Sequence, residues 1–466
     1  MEQELDLEKQ RQLVFGEQPE LELVGACKLG DGVVRHDTIE RKKFEHHFLK
    51  ADPEVTFFIP ASGSGSRMFK FLFDFLEVPD DDNRGKTERF LNAVESFAFF
   101  ELLPYDLKLK VRAYDIDLET FASFLLKPEG LGLGTLPKGL IPFHRSRSFI
   151  LNAFQEQLLQ GIKVKESGVN FHFTINESYS SEITDSLQNV VSLTGREIGI
   201  SLSTQDPITD AYAFTADQEV AKGASGDPLK RPSGHGALLT NLNNLSADIF
   251  FIKNIDNLQH ESKSHSSIEN LRYLGGVLSY LKDAFIEVLE SEDPLSEFKV
   301  LNDTYQFLPT GRVLDEMSLE ELKTYLLRPV RVCGMVRNEG QPGGGPFWVR
   351  NNGVVSKQIV EKAQIKMRGE QYRLMVQSQY FNPVLMAVST KNIFGTQLDL
   401  TQFSDDDKYF VVQKSFEGQV IKFMERPGLW NGSMSEWITA FVEVPSETFT
   451  PVKTVLDLLG DSHREL

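Results

Sequence analysis

Cysteine is almost missing from this chain: Cys27 and Cys333 are its only two in 466 residues. So distant a pair excludes a disulfide framework and a thiolate metal site, and it fits a reducing compartment. No stretch approaches the ~18 consecutive apolar residues of a membrane-spanning helix. The opening MEQELDLEKQRQL alternates charges with isolated apolar residues, unlike a secretory leader. A basic excess is missing too. Acidic residues outnumber basic ones, 67 to 49, for a net charge of -18. That balance excludes a general affinity for nucleic acid or an anionic membrane and leaves any anionic ligand to a local basic pocket. No repeat period or low-complexity run stands out. What remains, 41% hydrophobic residues with 35 Phe, belongs to a folded protein with an aromatic core, expected in the cytoplasm.

Length leaves room for one large domain with insertions or for two to three ordinary ones. Residues 2–49 read as charged helices around a turn at Gly30-Asp31-Gly32, an N-terminal helical cap over about residues 1–50. Residues 51–466 are expected to form the remaining domain. Val55–Ile59 predicts a strand entering the loop Pro60–Arg67, and Met68–Leu76, apolar all round, predicts a buried helix. Helical patterns follow at Lys86–Leu103 and Leu118–Leu126, then the glycine-rich Gly130–Gly139. Ser148–Leu159, Ser181–Leu193 and Gly236–Leu245 predict helices; Val169–Ile175, Ile198–Ser203 and Asp248–Lys253 predict strands. This alternation predicts an α/β fold with an open, mostly parallel sheet, whose ligands gather at the carboxyl ends of strands. Residues 256–318 read as mainly helical, and the last third as strands with many Gly, Pro and Asn.

Four segments carry groups suited to chemistry. In Ala61-Ser62-Gly63-Ser64-Gly65-Ser66-Arg67 a strand runs into small residues and then a helix, which aims backbone N–H groups at one point beside a guanidinium. A ligand-free βα turn has the same composition. The loop is neither a Walker loop, for no Gly-Lys-Ser/Thr follows, nor a dinucleotide fingerprint, for the third glycine is missing. Lys138 follows the stiff Pro137, where it reads as a phosphate-reaching cation or a surface lysine. Gly234-His235-Gly236 offers an imidazole between glycines, for a base or hydroxyl or as a structural turn. Asn254-Ile255-Asp256-Asn257 ends an apolar strand; Asp256 suits one Mg2+ that keeps waters and shares phosphate oxygens, and an Asx turn has the same sequence.

Read in order, these segments resemble the UDP-sugar pyrophosphorylases and the wider sugar-phosphate nucleotidyltransferases: a G-x-G-[ST]-R-M/L loop, a P-K, a G-H-G turn and an N-x-D-N. Phe449-Thr450-Pro451-Val452-Lys453-Thr454-Val455-Leu456-Asp457-Leu458-Leu459 is similar to the F-x-P-V-K-T-x-x-D-L-L segment of the eukaryotic-type enzymes. Lesser echoes are Phe171-His172-Phe173-Thr174 and Ser203-Thr204-Gln205-Asp206. The resemblance spans about residues 55–260 and 440–460. It departs in spacing: some seventy residues separate Arg67 from Lys138, which requires a helical insertion over about residues 70–130. Gly132-Leu133-Gly134-Thr135 competes for the role of phosphate loop; the opening loop is favoured because it follows a clear strand and carries the arginine. Asn338–Trp348 and Glu425–Gly432, in the glycine-rich stretches between about residues 330 and 440, are foreign to those enzymes. The whole chain is similar to an uncharacterised bacterial family, domain of unknown function 4301, that carries these extra segments.

The resemblance implies a nucleotide-diphospho-sugar transferase (GT-A-like) sheet. It also implies joining of a nucleoside triphosphate to a sugar 1-phosphate, with Mg2+ and release of pyrophosphate. Arg67, Lys138 and Lys453 would neutralise phosphate charge. Ser62, Gly63, Ser64, Gly65, Gln205, Gly234 and His235 would bind nucleotide, Asn254, Asn257, Glu425 and Asn431 would meet substrate, and Asp256 would hold the metal. A metal-dependent glycosyltransferase lacks its D-x-D at the strand end, where Asn254 takes the first position. Asp80–Asp82 and Asp405–Asp407 read as solvated charge. A nucleotide or sugar-phosphate binding protein without turnover is the third expectation.

Overall fold

The structure, a computed structural model, describes residues 7–78, 80–309, 315–340, 344–351, 353–365 and 368–465. The chain is α/β with a large mixed, mostly parallel open sheet. Its contacts divide it into two compact units, each drawn from three segments. The first takes 1–56, 205–252 and 272–446; the second takes 57–204, 253–271 and 447–466.

In the first unit the strand order is Lys28–Leu29, Gly32–Val34, Ile438–Glu443, Val330–Arg337, Leu385–Ser389 and Ile249–Lys253. Val330–Arg337 runs parallel to Ile438–Glu443 and antiparallel to Leu385–Ser389. Seven of its eight residues are buried, as a strand covered on both faces requires. Helix Thr38–Ala51 starts at Asp37, whose carboxylate accepts from the Glu40 amide while Glu40 returns the bond, a capping box. It packs where Gly276 has no side chain, since a Cβ there would fall on the Phe44 backbone. The first fifty residues are not helical throughout: Glu22–Ala26, Lys28–Leu29 and Gly32–Val34 are strands. Glu22–Ala26 pairs antiparallel with Gly345–Asn351, a partner far along the chain that local helix propensity does not register. The glycine-rich Asn338–Trp348 thus leads into a paired strand, with the Trp348 indole donating to Asp31 at 2.8 Å. Residues 341–343 of that segment lie outside the described residues.

In the second unit the order is Val55–Pro60, Val169–Thr174 and Ile200–Ser203, the last two parallel. After the first of these the chain leaves through helices Lys70–Glu77, Asp81–Asn92, Tyr105–Arg112 and Leu118–Leu126, the insertion that the spacing required. Its core is aromatic. Phe97 stacks on Phe90 and on Phe99, each at 5.1 Å between centroids, with Phe69, Phe75, Phe100 and Phe121 buried; offset aromatic pairs add to area burial. The helix expected over residues 148–159 starts late. Arg147 at φ 54 turns Pro142–Ser146 back on Phe149–Asn152 as a hairpin. Asn152 then caps helix Ala153–Gly161 in a box with Gln155.

Candidate functional site

The second unit gathers most of the candidates. Val55–Pro60 is buried along nearly its whole length, and the Ala61 amide bonds the Thr174 carbonyl at 2.8 Å, so the chain enters the loop from a fixed point. The loop is then clasped by Leu136-Pro137-Lys138. Gly65 N donates to Leu136 O at 2.9 Å and Lys138 N to Gly63 O at 3.0 Å, an antiparallel bridge between Ser64 and Pro137. Loop and lysine, about seventy residues apart in sequence, are adjacent in space. Gly65 is glycine for packing, because a Cβ would strike Ile141 Cδ1 and lie 2.9 Å from Leu136 O. At Gly63 a Cβ meets nothing within 4 Å. Ser62, Gly63 and Ser64 are exposed, and their amides meet no acceptor among the described residues. Arg67 is exposed and enters no ion pair among the described residues.

The competing loop spends its amides differently. Gly132 N, Leu133 N and Gly134 N donate to the carbonyls of Lys127, Leu125 and Leu126, and Thr135 N to Gly132 O. They close the carboxyl end of helix Leu118–Leu126, where carbonyls lack intrahelical partners. Nothing there is left to cradle an anion.

Asp256 sits beyond the strand Ile249–Lys253 and is 5% exposed. Its Oδ2 accepts from Lys138 Nζ at 2.6 Å and from Lys453 Nζ at 2.9 Å; its Oδ1 is buried without a partner among the described residues. Burial pushes the Asp256 carboxyl up, and the two ammonium groups more than offset this and hold it below the usual range. Burial pulls the Lys138 ammonium below its ordinary value, with Asp256 opposing. Two cations share this carboxylate, and a second carboxylate, Asp457, stands nearby with its Oδ2 accepting from the Lys453 and Thr454 amides at 2.8 and 2.6 Å. Gln157, itself buried, fixes this corner by donating to the carbonyls of Asn254 and Ile255, each at 3.1 Å.

Asn257 does not point to a ligand. Its Oδ1 accepts from Thr450 N at 2.9 Å and its Nδ2 donates to Thr448 O at 3.2 Å, so the substrate contact expected of it is replaced by docking of the chain that carries Lys453. Asn254 is half-buried, and its side-chain amide makes no hydrogen bond among the described residues.

In the first unit His235 accepts the Leu429 amide on Nδ1 at 2.8 Å, which puts its hydrogen on Nε2, 3.3 Å from Glu361 Oε1. The ring stacks on Trp430 at 4.0 Å. Gly234 has φ 78, and a Cβ there would lie 2.6 Å from Glu425 Oε2. Burial raises the Glu425 carboxyl. Asn431 Nδ2 donates to Ile359 O at 3.0 Å, and its Oδ1 has no partner among the described residues. Gln205 donates to Asp210 at 3.2 Å. Glu361 and Gln157 escaped sequence reasoning, since neither lies in a motif and both meet their partners across long stretches of chain.

Among the described residues no group of three His, Cys, Asp or Glu gathers to hold a metal. The donor set does fit a hard cation that takes one protein carboxylate oxygen, the free Oδ1 of Asp256, and the rest from water and phosphate. Asp80 caps a helix at the surface, as expected; Asp405, expected as solvated charge, instead caps a local turn with its side chain largely buried against Lys408 at 3.4 Å. No helix of the described residues is long and apolar enough to cross a membrane.

Fold and site together define an α/β protein with a buried carboxylate and two lysines beyond a strand's carboxyl end, beside a glycine loop with free amides. Residues 2–464 match the model of the domain of unknown function DUF4301, and the chain belongs to that family. No curated protein matches it in sequence. Among solved structures it is similar to a putative UDP-N-acetylglucosamine pyrophosphorylase from Entamoeba histolytica, at 12% identity, covering 95% of this chain and 85% of that one, TM-score 0.46. It is also similar to a UDP-glucose phosphorylase from Trypanosoma brucei, at 12% identity, covering 95% and 71%, TM-score 0.42. At that identity and those scores neither likeness extends to residue roles or activity.

Proposed function

We propose that the protein is a sugar-phosphate nucleotidyltransferase that joins a nucleoside triphosphate to a sugar 1-phosphate. The observation that carries this reading is the convergence of Lys138 and Lys453 on Asp256 Oδ2 while Oδ1 stays free. Such a site holds its cations in place before the ligand arrives, and preorganised charge is the main contribution a protein makes to phosphoryl chemistry. An oxygen of the sugar 1-phosphate attacks the α-phosphorus. The bond from that phosphorus to the bridging oxygen breaks, and its electron pair leaves with pyrophosphate, so no proton has to move. Lys138 and Arg67 receive the leaving pyrophosphate, Lys453 meets the sugar phosphate, and the amides of Ser62, Gly63 and Ser64 donate to a phosphate oxygen. The chemistry that Mg2+ supplies when held at Asp256 Oδ1 is neutralisation of phosphate oxygens.

The test is pyrophosphate release from a matrix of nucleoside triphosphates and sugar 1-phosphates with Mg2+, wild type beside Lys138→Ala and Asp256→Ala. Release for one pair that collapses in both variants supports the reading. Silence throughout, with nucleotide still bound in calorimetry, assigns a binding protein without turnover. Sugar transfer to an acceptor without pyrophosphate chemistry assigns a glycosyltransferase.

A further inference from the structure

The carboxyl-terminal segment of the second unit behaves as a strap zipped against residues 256–263. Gln259 Nε2 donates to Glu447 O, Thr450 Oγ1 to Leu258 O at 3.0 Å, and Val452 N to Asp256 O at 3.0 Å. At the far end His260 N donates to Ser462 O at 2.9 Å, Lys263 Nζ to Asp461 O at 2.6 Å, and His463 Nδ1 faces His144 Nε2 at 3.0 Å. Between these anchors Lys453 stands over Asp256. Asn257 is 3% exposed and spends both ends of its amide on this strap, on Thr450 N and Thr448 O, besides an antiparallel bridge to Pro451.

We propose that Asn257 is a positioning residue: by fixing Thr448–Pro451 it sets where the Lys453 ammonium stands against Asp256. The bonds at Glu447 and Ser462, with Thr450 Oγ1 on Leu258 O and Val452 N on Asp256 O, keep the strap bound in an Asn257 variant, which loses the two amide bonds that fix the Thr448–Pro451 backbone. The register matters because Lys453 lies only three residues beyond Thr450, and each extended residue moves the chain by ~3.3 Å. A slip of one step takes the ammonium out of contact. The consequence for catalysis rests on the reading of Lys453 given above; the placement of the ammonium does not.

The experiment reads the placement directly. Acetylation of Lys453 and Lys138 by an N-hydroxysuccinimide ester is followed by peptide mass spectrometry in wild type, Asn257→Ala and Asn257→Asp. Asn257→Asp keeps the acceptor for Thr450 N and opposes Thr448 O with a second acceptor at unchanged volume, so it serves where Asn257→Ala fails to fold. Lys453 is expected to label several-fold faster in both variants, with Lys138 unchanged. Equal labelling in a folded variant overturns the proposal. Because labelling needs no turnover, a silent activity matrix would sink the transferase reading and leave this result standing. Where turnover is found, Asn257→Asp adds no loss on top of Lys453→Ala; additive losses overturn the proposal as well, since they mean Asn257 does not act through Lys453.

Discussion

The second unit contains two glycine-bearing loops, a serine-rich one at residues 61–67 and a leucine-rich one at residues 130–139, and they do opposite things. In the later loop every amide from Gly130 to Thr135 is committed to a carbonyl, most of them at the end of helix Leu118–Leu126. In the earlier loop the amides of Gly65 and Ser66 are held, and those of Ser62 to Ser64 meet no acceptor among the described residues. Glycine content therefore says nothing about anion binding until each N–H has been followed to its acceptor. The same inventory separates glycines by cause. Gly65 yields to Ile141 and Gly132 to its φ of 64, whereas Gly63 faces open space.

The largest expected effect breaks the earlier loop's link to the charged pair. Lys138→Ala or Asp256→Asn should lower pyrophosphate release by roughly 10²–10³-fold, the scale for losing one preorganised charge contact; steady-state kinetics check it, and a loss below tenfold would detach the loop from catalysis. Next comes Gly65→Val, which overpacks against Ile141 and Leu136 and should cost about 1–3 kcal/mol in urea unfolding. Gly132→Ala should cost about 1 kcal/mol through its left-handed backbone and leave the affinity for magnesium pyrophosphate alone. Gly63→Ala should do the reverse, with unchanged unfolding and weaker binding in calorimetry. If Gly132→Ala weakens binding and Gly63→Ala does not, the two loops have been assigned the wrong way round. The smallest effect concerns pH. Burial, with His144 beside it, pushes His463 down to about 3, and burial pushes His172 down to about 4. Both stand below their ordinary 6.5, so the unfolded chain takes up protons first as pH falls. The stability they contribute is complete above about pH 6.5 and is lost progressively below it. The urea midpoint should fall between pH 7.5 and 5, and His463→Asn should shrink that fall; an unshrunken fall places the loss elsewhere.

Much of this was legible in the residues. The alternation of apolar runs gave the strands at Val55–Pro60, Val169–Thr174 and Ile249–Lys253, because buried strands leave a short uninterrupted apolar signature. The order of loop, Pro-Lys, Asn-x-Asp-Asn and Val-Lys-Thr pointed to Lys138, Asp256 and Lys453, which do converge. What stayed hidden depends on partners distant in sequence. Glu22–Ala26 becomes a strand only because residues 345–351 pair with it. Asn257 looked like a ligand-facing amide because nothing local marks Thr448 and Thr450 as its partners. Glu361 carries no motif at all, and its contact with His235 appears only in the folded chain.

The bridge between Ser64 and Pro137 closes the helical insertion into a loop whose two ends touch. The insertion leaves and returns through this clasp and lies against the hairpin Pro142–Asn152, where Arg145 pairs with Glu101 at 3.1 Å; only the turns between its helices are free to lengthen, since closing a longer loop costs only slowly more entropy. Residues can be added or removed within the exposed turns between its helices, and a foreign domain can be spliced there, while the clasp returns Lys138 to the same place.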